Sequence, residues 1–234
     1  MAVVDHAGTR VERVLDAAAD LLVRWGYQRV TIDEVAKLAG IGKGTVYLHF
    51  RTKDALFLTV LLRAHRRVVE GMAERMVTDP QEVLPGPLMR SLYLELAADP
   101  LSRALYLGDA EVLGRLSHEA ATLGELGAHR DEVLVEHLRL LQEAGCLRPD
   151  LSIDALRYAL GAISVGFYFV DAVPTVTGHL DTAARADLLA HSVAGALQVP
   201  DPPRAALERI APVVGELYMS LIEYIEKEWR RRVR

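Results

Sequence analysis

Apolar residues return along this chain at intervals of three and four, the spacing that gathers them on one helical face, and alternating runs bounded by turn residues are missing. The clearest pattern lies in residues 31–57. Thr31-Ile32-Asp33-Glu34 reads as a capping box, in which the Thr31 hydroxyl accepts from the Glu34 amide and the Glu34 carboxylate reaches back to the cap. Ile32, Val35, Ala36 and Ala39 follow at i, i+3, i+4 and i+7, and Gly40 ends the run. A second short helix is predicted from about Gly42 to His49. A longer one starts at a Thr52 cap, carries Leu56, Phe57, Val60, Leu61, Ala64 and Val68 inward, and runs to about Val77. Upstream, Thr9-Arg10-Val11-Glu12 is another capping box, followed by Val11, Val14, Leu15, Ala18, Leu21 and Leu22 until Gly26 stops the helix.

Asp79-Pro80 and Pro85-Gly86-Pro87 then break the chain. Helices are predicted near 88–98, 101–113, 121–145, 152–171, 181–198 and 204–232, so the fold class is all-α. The division expected is a head of residues 1–52 and a larger helical body of residues 53–234. Two stripes of small residues stand out: Ala155, Ala159, Ala162 and Gly166 on one helix, and Ala183, Ala186, Ala190 and Ala194 on another. Small side chains let helix axes approach closely, within one chain or between two.

The pair of short helices around Gly40 has the form of a helix-turn-helix, whose second helix lies in the major groove of DNA. A tight turn between steeply crossing helices needs positive φ, which glycine reaches without steric cost. Ala36 lets the helices approach, and Val46 packs back into the core. The residues left on the outer face suit DNA: Lys43 donates to guanine O6 or N7 or to a phosphate, Thr45 and Leu48 meet a thymine methyl, and Gly44 admits close backbone approach. Tyr47 and His49 donate to phosphates, which fix register without reading sequence. Lys53, opening the next helix, adds a phosphate contact helped by that helix's dipole.

The run from Thr31 to Phe57 resembles the TetR family of bacterial transcriptional regulators: a Thr-led helix, Ala-Gly, then Lys-Gly-Thr-x-Tyr-x-His-Phe and Lys-Asp-x-Leu. Gly42 stands where that family usually has a capping Ser or Thr, and Leu48 where it often has a polar or aromatic residue. Base readout therefore leans on Lys43 and Thr45. What the resemblance implies is a homodimer that places each recognition helix in one half of a palindromic operator on double-stranded DNA. It also implies that the small-residue helices dock on their twofold mates, and that a small-molecule effector in the body releases the DNA. It further places Thr31 among the DNA-contacting residues.

Charge fits this division. The chain carries net -5, yet residues 1–67 hold 11 Lys and Arg against 7 Asp and Glu, and the remainder 16 against 25. No run reads as the roughly 18 apolar residues of a membrane span, and the start lacks a signal-peptide core. One cysteine, Cys146, excludes an internal disulfide or a multi-cysteine metal site. A cytoplasmic protein is expected. No cofactor is implied, and no GxSxG, phosphate-cradling loop or HExxH points to an enzyme. Tyr93, Tyr106, Tyr158, Phe167, Tyr168 and Phe169 are candidates to line an effector pocket. Glu125, His129, Glu132 and Glu136 share one helical face but read as a solvated charged face, not a metal site. His118 and His137 lie scattered among carboxylates nearby. The last helix ends in Arg230, Arg231, Arg232 and Arg234, which complement its dipole. A body that binds a protein partner and no small ligand is the alternative to an effector-binding one.

Overall fold

The computed structural model describes residues 6–116, 125–171 and 179–233. His118, Arg234 and the predicted helical start at 121–124 fall outside them. The helices are α1 His6–Arg29, α2 Ile32–Ala39, α3 Lys43–His49, α4 Lys53–Thr78, α5 Pro85–Ala98, α6 Pro100–Leu107, α7 Ala110–Leu113, α8 Glu125–Glu143, α9 Ile153–Asp171, α10 Thr182–Leu197 and α11 Arg204–Arg232, with a 3-10 turn at Pro80–Val83. Among the described residues β structure is confined to two isolated antiparallel bridges, Phe50 with Val233 and Leu147 with Gln198. The chain is all-α, as its periodicity predicts.

Several boundaries differ from the sequence reading, each for a local reason. α1 has already begun at His6, so Thr9 lies inside the helix and not at its cap. Gly26 breaks α1 without ending it. The residue sits at φ 71, ψ 158 and the helix resumes to Arg29. A Cβ there would lie 2.6 Å from the Glu111 carbonyl oxygen, so this glycine is required by close packing as well as by its backbone angle. The predicted helix 101–113 is interrupted at Gly108, after which the Asp109 carboxylate caps α7 by accepting from the Glu111 and Val112 amides. Pro85 and Pro87 do not break the chain but open α5, where the missing N–H groups have no helical partner to lose.

Two compact units emerge. Of the described residues, the first comprises those within 6–67, 100–116 and 223–233, and the second those within 68–99, 125–171 and 179–222. In the first, α1 packs on α2 and α7 over a core of Val14, Leu15, Ala18, Leu22, Val35, Val46, Phe50 and Phe57, all buried. In the second, α10 lies along α5, and Gly86 makes the approach possible: a Cβ there would lie 3.0 Å from the Ala190 carbonyl and 3.2 Å from the Ala194 methyl. Ala186 is fully buried. Of the α10 stripe, Ala190 and Ala194 thus approach α5 of their own chain and Ala186 is buried, while Ala183 is exposed.

α9 departs from the expectation that no segment is long and apolar enough to span a membrane. It has 19 residues with a mean hydropathy of 1.3 over its best window, because Gly161, Ala162, Ser164 and Gly166 separate its larger apolar residues without adding charge. Most of it is uncovered: Tyr158 is 79 % exposed, Val165 63 % and Phe169 70 %.

Candidate nucleic-acid interface

The capping box at Thr31 forms as the sequence dictates. The Thr31 hydroxyl oxygen accepts from the Glu34 amide at 3.3 Å, and the Glu34 carboxylate accepts from the Thr31 amide at 2.7 Å. At the other end of α2, Gly40 adopts φ 67, ψ 36, and the Ile41 amide reaches back to the Ala36 carbonyl at 3.0 Å. A Cβ at Gly40 would meet nothing within 4 Å, so the requirement there is the left-handed backbone alone. Ala36 is buried at the helix crossing and Val46 is fully buried. Burial of a branched side chain of this size removes about 1.5–3 kcal/mol worth of apolar surface from water, and this anchors α3 by its inner face.

With Val46 turned inward, the remaining residues of α3 are presented outward. Lys43, Gly44, Tyr47 and Leu48 are exposed, while Thr45 and His49 are half-buried. Gly44 faces open space. Gly42 occupies the N-cap in extended conformation and makes no side-chain cap, leaving the first amides of α3 open to a phosphate. Leu48, 68 % exposed, has no core role that would account for its being apolar. A thymine methyl would account for it.

Two charged residues are placed in ways the sequence did not reveal. Lys43 donates to Asp33 Oδ2 at 2.7 Å, and this hydrogen bond, with the charge behind it, raises the Lys43 pKa. Both side chains remain more than half exposed, so the pair is readily exchanged for a DNA acceptor. Lys53 donates to the Tyr27 carbonyl at 2.5 Å and lies 4.2 Å from the centre of the Tyr27 ring. Burial lowers its pKa. Lys53 thus fastens α4 to the end of α1, and a phosphate contact would require it to leave that carbonyl.

Beside Lys53 sits a polar cluster with no local sequence signature. Arg115 donates to both Asp54 oxygens, at 2.7 and 2.5 Å, and to the Tyr27 hydroxyl at 3.2 Å, while that hydroxyl donates to Asp54. Burial, then the bond to Asp54, pushes the Tyr27 hydroxyl up to about 12. Burial also opposes ionisation of Asp54, but Arg115, Tyr27 and Lys53 outweigh it and hold the carboxyl below its usual range. The residues concerned are 61 to 88 positions apart from Arg115, beyond the reach of any periodicity.

The aromatic residues singled out for a pocket are dispersed. Tyr106 belongs to the first unit, where its hydroxyl meets His65 Nδ1 at 3.1 Å. Tyr93 and Tyr168 stack at 5.3 Å in the second unit, and the Tyr93 hydroxyl donates to Asp171 at 2.5 Å, itself paired with Arg185 at 2.8 Å. Phe167 is half-buried, and Tyr158 stands outside on α9. A groove of about 570 Å³ in the second unit has a floor of Ala73, Val77, Pro212, Gly215 and Met219, none of which the sequence reading had selected. Cys146 is buried, which raises its thiol pKa. His129 contacts Glu132 at 3.1 Å and Ser220 at 2.9 Å.

Comparison with known proteins places this geometry in a lineage. The profile described as "Bacterial regulatory proteins, tetR family" matches residues 14–60, which span α2, the turn and α3. An HTH-type transcriptional repressor of Mycobacterium tuberculosis is 27 % identical over 165 residues, 69 % of this chain and 82 % of the repressor. An uncharacterised HTH-type regulator of Bacillus subtilis is 39 % identical over 67 residues, 27 % of this chain and 35 % of its own length. Among solved structures, the transcriptional regulator FadR from Bacillus subtilis in complex with stearoyl-CoA aligns with a TM-score of 0.62 at 16 % identity, over 78 % of this chain and 96 % of that one. The α2–turn–α3 geometry, the family match across it and the relatives converge: residues 14–60 of this chain carry the DNA-binding region of the TetR family of bacterial regulatory proteins.

Proposed function

We propose that this chain is a transcriptional repressor that binds a palindromic operator as a homodimer and is released by a small molecule. The observation that carries the reading is the division of α3 into a buried Val46 and an outer face of Lys43, Gly44, Thr45, Tyr47, Leu48 and His49. In this account Lys43, Thr45 and Leu48 read base edges, and Tyr47, His49 and the Thr31 end of α2 hold phosphates. The operator is double-stranded DNA, and a regulator acting on it works in the cytoplasm. Residues 1–52 serve as the reading head and residues 53–234 as the effector-binding and dimerisation body.

Dimerisation draws support from α9. Tyr158, Ala162, Val165, Gly166 and Phe169 form an apolar face that water covers in the single chain. Exposed apolar patches of this kind mark association surfaces. Ala155 and Ala159 are half-buried beside it, whereas on α10 only Ala183 of the small-residue stripe is exposed. The face offered to a second copy is therefore α9, flanked by α10 through residues such as Leu188.

An effector is supported by the FadR neighbour, which holds stearoyl-CoA in its crystal. Tyr93, Phe167 and Tyr168 are the aromatic residues of the second unit that would line such a site. Because both heads must fit one operator, a ligand that changes their separation sacrifices one half-site, and a few kcal/mol suffices for release.

The test has two arms. Gel shifts with duplexes covering the DNA upstream of the chain's own gene and its neighbours should reveal a specific complex at moderate salt. A thermal-shift screen led by long-chain acyl-CoA should find a ligand that raises the melting temperature and dissociates that complex. Absence of any specific shift would remove the repressor reading, and a ligand that stabilises the protein without loosening DNA would remove the release mechanism.

A further inference from the structure

The antiparallel bridge between Phe50 and Val233 joins two parts of the sequence that the helix-turn-helix reading does not connect. Phe50 is the residue that caps the C-terminal end of α3, and it is fully buried. Val233 follows the last turn of α11, which carries Arg230, Arg231 and Arg232. Paired residues in such a bridge lie about 5 Å apart at Cα, and the three arginines fall within about one 5.4 Å helical turn of Val233. The end of α11 is therefore pinned beside the chain that leaves the recognition helix, next to exposed Arg51.

The three arginines do different things. Arg232 folds back on its own helix, donating to the Glu228 carbonyl at 2.7 Å and to its carboxylate at 2.5 Å, and only 19 % of its side chain is exposed. It satisfies the carbonyl end of α11, the role the helix dipole predicts. Arg231 touches the other oxygen of the same buried carboxylate yet stays 55 % exposed. Arg230 is exposed. One carboxylate thus serves two guanidinium groups, and the remaining acids on this stretch, Glu223 and Glu226, lie further back, the latter facing Arg66 at 3.5 Å. Arg232 is held against its own helix end, Arg231 shares Glu228 while staying exposed, and Arg230 and Arg51 present exposed guanidinium groups beside them.

We propose that the C-terminal end of α11 is a second DNA-contacting element, in which Arg230 and Arg231, with Arg51, grip the phosphate backbone flanking the groove that α3 enters. The inference rests on the DNA-reading role of α3 set out above. Guanidinium groups suit the task because they match phosphate oxygens in a bidentate fork. Charges so placed fall within the ~8 Å over which they are felt at physiological salt. Such contacts add affinity for any sequence and change none of the base preferences.

The experiment compares the full-length wild type with the Arg230→Gln/Arg231→Gln double variant. Dissociation constants are measured from 50 to 200 mM NaCl on a duplex that the wild type selects from a random-sequence pool and on an unrelated 30-base-pair duplex. The double variant should show a slope of log Kd against log salt shallower by about 2 for each bound subunit, and should weaken on both duplexes by a similar factor. Arg204→Gln, which removes the same charge as a single Arg230→Gln change but from a side chain 88 % exposed at the opposite end of α11, should leave the slope unchanged. Arg230→Gln alone, a change in an exposed side chain, should lower the slope by about 0.9 per subunit and guards against misfolding of the double variant. A double variant whose slope equals that of Arg204→Gln overturns the inference while leaving α3 as the reader. A wild type that selects no sequence and binds without salt dependence overturns the DNA-reading role, and this element with it.

Discussion

His137 sets a pH limit on the second unit. The side chain is buried with its Nε2 2.7 Å from the Val83 carbonyl and its Nδ1 3.2 Å from the Tyr218 hydroxyl. Nε2 must donate to the carbonyl, so Nδ1 accepts from the tyrosine, and the ring is the neutral tautomer. Burial, opposed only by the bond to Val83, pushes its pKa down from 6.5 to about 4. Between those values the unfolded chain takes up a proton that the folded chain refuses. Stability is thus intact above pH 6.5 and falls as pH drops through this window. The loss amounts to about 2 kcal/mol at pH 5 and approaches about 3 kcal/mol below pH 4. Urea denaturation at pH 7.0 and 5.0 measures it when wild type is compared with His137→Gln, whose amide can donate to Val83 without titrating. Removing the ring should lower stability at pH 7 by creating a small cavity, about 1–2 kcal/mol. The further loss on going to pH 5 should shrink by about 2 kcal/mol relative to wild type. If both proteins lose the same amount between the two pH values, the buried neutral histidine is not the cause.

Four other variants have outcomes set by the geometry. Lys43→Ala should relax discrimination at one base position by about 1–3 kcal/mol, while Tyr47→Phe should weaken binding to all sequences alike, as read by dissociation constants on a panel of operator variants. Gly26→Ala should lower the melting temperature by a cost of about 2 kcal/mol or more, because the new methyl meets the Glu111 carbonyl from a backbone conformation reserved for glycine. Phe169→Glu should convert the protein to a monomer in sedimentation and abolish tight operator binding, since it sets a charge on the apolar α9 face at its largest exposed ring but one.

What the sequence discloses and what it hides divide along the range of the forces involved. The capping box at Thr31, the left-handed Gly40, the inward Val46 and the Thr52 cap are all local, set by residues within a few positions of one another, and all four appear as read. The inner and outer faces of α3 follow from the same few letters. The Arg115–Asp54–Tyr27 cluster, the Lys43–Asp33 pair and the Phe50–Val233 bridge depend on tertiary placement, and no spacing rule encodes them. The small-residue stripes show the limit most clearly. Ala190 and Ala194 approach α5 of their own chain and Ala186 is buried, while Ala162 and Gly166 face solvent, although both sets are small residues at helical spacing. Periodicity says that a helix face is small and leaves open which neighbour fills it.

The central claim is that two copies of α3 read a symmetric site. Selection of duplexes from a random-sequence pool by the full-length protein, with the mass of the resulting complex determined by sedimentation, tests it most directly. The account predicts an enriched inverted repeat whose half-sites are about one helical turn apart or a multiple of it, bound by an even number of chains. An enriched site without twofold symmetry bound by a single chain, or no enriched sequence at all, would contradict it.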